Sequence, residues 1–283
     1  MPLRRMSFLL LFTALGLTAQ GPPLVVKGVG DLAVVPHRVV FQGRDRAAEV
    51  MLRNDGSTSA TYRILIKEMV MLPSGRLDDR TKAPGEITAV DLVRMTPRQV
   101  ELKPGEVQMV RFQLRKPAEL AEGEYRSHVL FQAVPPADVP EPEAAPGEHA
   151  LSFKLTPIFG ITIPIIVRHG NLKAQLGISK AQAMPPEKDE APWTLAFSLE
   201  RRGNSSVLGD LKVQVEKGGQ LQRGLVLAQM KGIGIYTGLE AREIRLPLDP
   251  ARRGALRGAQ LRITFTPTDG HASPVTALVD VAG

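Results

Sequence analysis

The chain of 283 residues contains no cysteine. Disulfide scaffolds, thiolate zinc sites, iron–sulfur centres and thiol nucleophiles are therefore excluded. Tryptophan occurs once and tyrosine three times, which argues against an aromatic platform for sugars. The five histidines, His37, His128, His149, His169 and His271, show no metal-ligand spacing, and none adjoins an acidic pair. No glycine-rich phosphate loop and no G-x-S-x-G elbow is found. The acidic run Glu187, Asp189 and Glu190 sits among prolines and reads as a solvated loop. No enzyme activity, metal or cofactor is expected from this inventory.

The first 19 residues carry an export pattern. Arg4 and Arg5 precede an apolar run from Met6 to Leu17, and Leu17-Thr18-Ala19 offers a cleavage site. Residues 1–19 are read as a signal peptide, which places the mature chain in a bacterial periplasm or at the cell surface. No later apolar run has the length of a membrane span, so stable membrane insertion is not expected. The formal charge of +7 loses Arg4 and Arg5 on processing. The remainder is spread along the chain, with no basic stripe, and gives no reason to expect a nucleic-acid partner.

What the sequence has in abundance is turns and alternation. There are 26 glycines and 23 prolines. Between them lie short segments in which every second residue is apolar, the mark of a half-buried strand. Tyr62, Ile64 and Ile66 form one such segment, Leu211, Val213 and Val215 another, and Leu261, Ile263 and Phe265 a third. No stretch keeps the i, i+3, i+4, i+7 spacing of an amphipathic helix. Many short strands with frequent turns indicate an all-β chain of sandwiches or barrels. His169-Gly170-Asn171 breaks the pattern, and two domains are expected, over residues 24–168 and 171–283.

The clearest periodic signal follows a proline- and acid-rich loop at 135–147. Leu151, Phe153, Leu155, Pro157, Phe159, Ile161, Ile163, Ile165 and Val167 occupy alternate positions. Two readings fit this row. One is a core-facing strand bent at Pro157 or Gly160. The other is an edge strand whose apolar side chains are offered to another chain, which Pro157 and Pro164 favour because proline breaks the ladder of a central strand.

Several motifs, in order, resemble the PapD-type periplasmic chaperones of chaperone–usher pilus systems. Pro36-His37-Arg38-Val39-Val40-Phe41 is similar to the first strand of that family, and Leu52-Arg53-Asn54-Asp55 to the end of its second. Thr96-Pro97, Leu102, Pro104-Gly105 and Met109-Val110-Arg111 resemble its proline, L-x-P-G and V-R signature. Glu124 with the strand ending at Val134-Pro135, and Ile165-Ile166-Val167-Arg168, continue the match. The resemblance covers most of residues 30–169.

It implies two immunoglobulin-like β-sandwich domains in a boomerang arrangement. It further implies a pilin or fimbrial-type subunit as partner, an outer-membrane usher as a second partner, and donor-strand complementation as the mode of binding. On this reading Leu151, Phe153, Leu155, Phe159 and Ile161 are the donor row. Arg38 is the anchor for the subunit's terminal carboxylate, and the family's second, lysine anchor falls on Pro164. Arg168, Glu124 and Asp269 would form an interdomain salt bridge. The competing reading is a secreted two-domain immunoglobulin-like adhesion or cell-envelope protein.

Overall fold

The structure is a computed structural model that describes residues 31–135, 158–188, 191–218 and 220–283. The segment read as a signal peptide and the row positions Leu151, Phe153 and Leu155 lie outside these residues.

The first half of the chain forms two facing layers, antiparallel except where β2 runs parallel to β11. It runs through β1 (Leu32–Val35), β2 (Val39–Phe41), β3 (Ala47–Asn54), β4 (Ala60–Lys67), the small hairpin β5 (Met69–Met71) and β6 (Leu77–Asp79), and the single-turn helix α1 (Ala89–Leu92). It continues with β7 (Val93–Thr96), β8 (Gln99–Leu102), β9 (Val107–Leu114), β10 (Gly123–Val134) and β11 (Gly160–His169). One sheet has the order β1-β3-β9-β7 and the other β2-β11-β10-β4-β8. The edge segment Leu32–Phe41 thus changes sheets at Pro36, which cannot continue a ladder. Alternation on β10 sends Val129, Phe131 and Ala133 inward, where Phe41, Tyr62 and Phe112 meet them in one core. Side chains of this size contribute about 1.5–3 kcal/mol each on burial.

The second half repeats the architecture. Strands β12 (Ala174–Met184), β13 (Thr194–Gly203) and β16 (Ala241–Pro247) make one sheet. Strands β15 (Val226–Ile235), β14 (Val207–Gly218), β17 (Ala259–Pro267) and β18 (Val275–Asp280) make the other. A separate core forms around Trp193, Phe197, Val213 and Phe265. The whole is an all-β, immunoglobulin-like two-sandwich chain. Among the described residues no helix is long and apolar enough to cross a membrane.

A third, small apolar cluster joins the halves. Tyr236, just past β15, packs with Ile166 of β11 and Met71 of the β5–β6 hairpin, and Val40, Leu77 and Leu239 lean on them. The hairpin also meets the second sandwich through its backbone, since Glu243 N donates to Pro73 O at 2.7 Å.

Candidate functional site

The candidate site lies where the outer face of the β2-β11-β10-β4-β8 sheet meets the second sandwich. Register decides which side chains share that face. On β11 and β10, Arg168 pairs with Glu124, Ile166 with Arg126 and Pro164 with His128. On the other side of β11, Ile166 pairs with Val40, and Arg38 precedes Val40 by two residues. Residues two apart in an extended segment point the same way. Arg38, Glu124, Arg126, His128, Pro164, Ile166 and Arg168 therefore share one face.

At one end of this face Arg168 makes the junction. Its Nε donates to Glu124 Oε2 at 3.1 Å and its Nη2 to Asp269 Oδ2 at 3.0 Å. Nη2 also donates to Ser206 O at 3.1 Å. Glu124 Oε2 further accepts from Ser206 N at 3.0 Å and Ser206 Oγ at 2.8 Å. Arg168 and Glu124 belong to the first sandwich, Ser206 and Asp269 to the second. The Arg168 side chain is only 4% exposed and Glu124 is fully enclosed. Such a pair gains little net stability over an apolar substitute, yet loses much when one member is removed. Nearby, buried Arg201 is satisfied by the carbonyls of Gly203, Ser205 and Leu239.

Further along the face the charge is less well matched. Arg38 is half-buried, and among the described residues its Nη2 reaches only Ser206 Oγ, at 3.4 Å. Burial lowers its pKa from the usual guanidinium value; the nearby Tyr236, Glu124 and Asp269 act against that, and Arg168 adds to it. Arg126 stacks on Tyr236 with Cζ 4.1 Å from the ring centroid. His128 is fully buried and meets Tyr236 edge-on, with ring centroids 5.8 Å apart. Among the described residues neither of its nitrogens has a partner. Burial, with Arg126 adding to it, pushes its pKa down to about 3, so the ring is neutral at physiological pH.

The apolar row follows β11 toward its N-terminal end. Ile163, Ile165 and Val167 fill the first core, and Ile161 packs partly against it. Ile161 is thus engaged by the chain's own sandwich. Phe159 is not: it is 47% exposed, and Ile158 beside it 54%, although Phe159 O accepts from Ala133 N at 2.9 Å and extends the ladder. Strand β2 pairs with β11 only at Ile165, Ile166 and Val167. From Gly160 to Pro164, β11 has β10 on one edge and no strand on the other among the described residues. Pro164 lies in this one-sided stretch, where its missing donor costs no ladder bond.

Sequence reasoning singled out Arg38, Arg168, Glu124 and Asp269, and the fold brings all four to the junction. It passed over Arg126, His128, Ser206 and Tyr236. The first two carried a signal, because Glu124, Arg126 and His128 form a polar alternation along the first half of β10.

No family model matches the chain, and no curated protein matches it. Solved structures do. The class 5 fimbriae chaperone CfaA is 12% identical, with 88% of this chain and 99% of that chain covered and a TM-score of 0.43. The CupB2 chaperone of Pseudomonas aeruginosa is 12% identical, with 87% and 98% covered and a TM-score of 0.41. The CsuC–CsuE chaperone–tip adhesion subunit complex of Acinetobacter baumannii gives 11% identity, 88% and 97% coverage and a TM-score of 0.43. This chain is similar to these fimbrial chaperones.

Proposed function

We propose that the protein is a periplasmic chaperone for fimbria-like subunits, which it binds by lending a strand. The observation that carries this reading is the one-sided start of β11. An apolar row leaves the chain's own core at Phe159, on a strand whose other edge is unpaired among the described residues from Gly160 to Pro164. A subunit with an incomplete sandwich would add its strand to that edge and take the row into its own core. Each apolar side chain so buried contributes about 1.5–3 kcal/mol before ordering costs. Arg38 immediately precedes β2, the strand that flanks β11, and its guanidinium suits a terminal carboxylate through two parallel hydrogen bonds. No covalent or metal-dependent step is part of the proposal. Delivery to an outer-membrane usher would follow subunit capture.

The test is recovery of bound partners from the periplasm of the source cell, identified by mass spectrometry. Wild type would be compared with Phe159→Arg, Leu155→Arg and Leu278→Arg, the last at an exposed apolar position of the second sandwich. The proposal expects one small β-rich partner lost from the first two variants and kept by the third. Equal recovery by all four proteins would instead favour an adhesion or envelope protein without a chaperone role.

A further inference from the structure

The middle of the sheet face beside the junction is covered by the chain itself. Ile166 of β11 lies on the outer face, yet it is fully buried. Part of its cover is Tyr236 from the second sandwich. The other part is the β5–β6 hairpin, whose Met71 packs with Ile166 and Tyr236 while Leu77 leans on them. Met71 and Leu77 stand opposite each other in the hairpin, so both apolar side chains share its underside.

The hairpin is a separate body. It forms a two-stranded sheet of its own, three residues to a strand, and a pair of that size does not hold without outside contacts. Its base is fixed, with Lys67 bound to Asp79 and Arg80 N donating to Glu68 O at 3.0 Å. Its tip rests on the second sandwich. There Pro73 O accepts from Glu243 N at 2.7 Å and caps β16, the edge strand of its sheet. Gly75, at a φ of +84°, leaves room for Arg242, whose guanidinium a Cβ would overlap. Between base and tip the packing has a gap. A cleft of about 380 Å³ is lined by Val70 and Met71 on the hairpin and by Arg126 and Thr237 beyond it. Few apolar contacts and a loosely filled flank place a segment at the low-stability end of a fold.

We propose that the β5–β6 hairpin is a strap over the sheet face, hinged at Glu68 and Arg80, which lifts as a unit and opens Ile166 to an incoming chain. What the strap guards rests on the reading of this face as a partner site; its lifting does not. Closed, the strap leaves a partner the one-sided stretch from Gly160 to Pro164. Lifted, it extends the reachable face along β11 to Ile166.

The first test needs no partner. The chain has no cysteine, so a single introduced thiol reacts with an aromatic disulfide reagent without background. Met71→Cys places the thiol under the strap, Val110→Cys in the first core, and Ser74→Cys at the exposed tip. The thiol at 71 should react at least about a hundredfold faster than that at 110 and a hundredfold slower than that at 74. Gly75→Val forces a branched side chain into a left-handed backbone and against Arg242. It should speed the thiol at 71 about tenfold and leave that at 110 unchanged. Equal rates at 71 and 110 would mean that the hairpin opens only when the whole chain unfolds, and equal rates at 71 and 74 that it is never seated; either overturns the proposal. The second test uses a ten-residue peptide of alternating valine and threonine as a strand probe. Gly75→Val should bind it about tenfold tighter than wild type, which must first open the strap. If the thiols report lifting and the peptide binds neither protein, the strap stands and the partner-site reading falls. If the peptide binds both proteins alike, that reading stands and the strap does not guard the site.

Discussion

Arg168 Nε stands 3.1 Å from Glu124 Oε2, and the pair is almost wholly shut off from water. The two residues face each other across β11 and β10, and the second sandwich closes over them with Ser206 and Asp269. One guanidinium therefore ties the sheet that carries the apolar row to the neighbouring sandwich.

Removing that cation should be expensive. Arg168→Met leaves Glu124 enclosed with only the Ser206 donors and deprives Asp269 of its 3.0 Å partner. A loss of about 3–5 kcal/mol in urea unfolding is expected, the usual cost of an orphaned buried charge. Asp269→Asn, at a position 14% exposed, should cost less. A loss below about 1 kcal/mol for Arg168→Met would place the pair with ordinary surface ion pairs.

Phe159→Arg should separate binding from folding. Phe159 lies outside the buried core and is half-exposed, so its replacement should change stability by no more than about 0.5 kcal/mol. Phe131→Ala, in the core opposite Ile161, should cost about 3–5 kcal/mol. Similar unfolding midpoints for wild type and Phe159→Arg are the expected result. A large drop would mean that Phe159 supports the chain's own sandwich.

Gly160 lets β11 approach β10 closely. A Cβ placed there would lie 2.8 Å from Leu130 Cδ1 and 3.3 Å from Phe131 O. Gly160→Ala should destabilise by about 1–3 kcal/mol, and Leu130→Ala should relieve part of that cost. A double-mutant cycle measures the coupling, and strict additivity would show that Leu130 swings aside freely.

The two sandwiches were legible because alternation is a local signal: one residue's place in a strand follows from its neighbours two away. The same signal marked the row from Leu151 to Val167, but not where the chain's own core stops using it. That limit depends on where β2 joins β11, at Ile165, a contact between segments far apart in sequence. Tyr236 was out of reach for a related reason. Its packing on Ile166, Arg126 and His128 needs the second sandwich to be set against the first, and nothing in the stretch around Tyr236 encodes that placement. Arg168, Glu124 and Asp269 were named through motifs rather than periodicity. Their meeting depends on register between β10 and β11 and on the turn after β17.

His128 should make the junction sensitive to acid. In the folded chain its pKa is about 3, below the ordinary value of 6.5. Between those values the unfolded chain binds the proton and the folded chain does not. Stability from this residue is therefore full above about pH 6.5 and falls as the pH drops toward 3, by at most about 1.4 kcal/mol per pH unit. His128→Phe keeps a ring against Tyr236 and removes the titration. The stability difference between wild type and His128→Phe should shift against wild type as the pH falls from 7 to 4.5. A difference that stays flat across that range would mean that His128 takes up its proton in the folded state as readily as in the unfolded one. Arg126 is the second cause of the depressed value, after burial. Arg126→Gln should therefore raise the His128 pKa, read by NMR titration of the ring, and reduce the acid sensitivity with it.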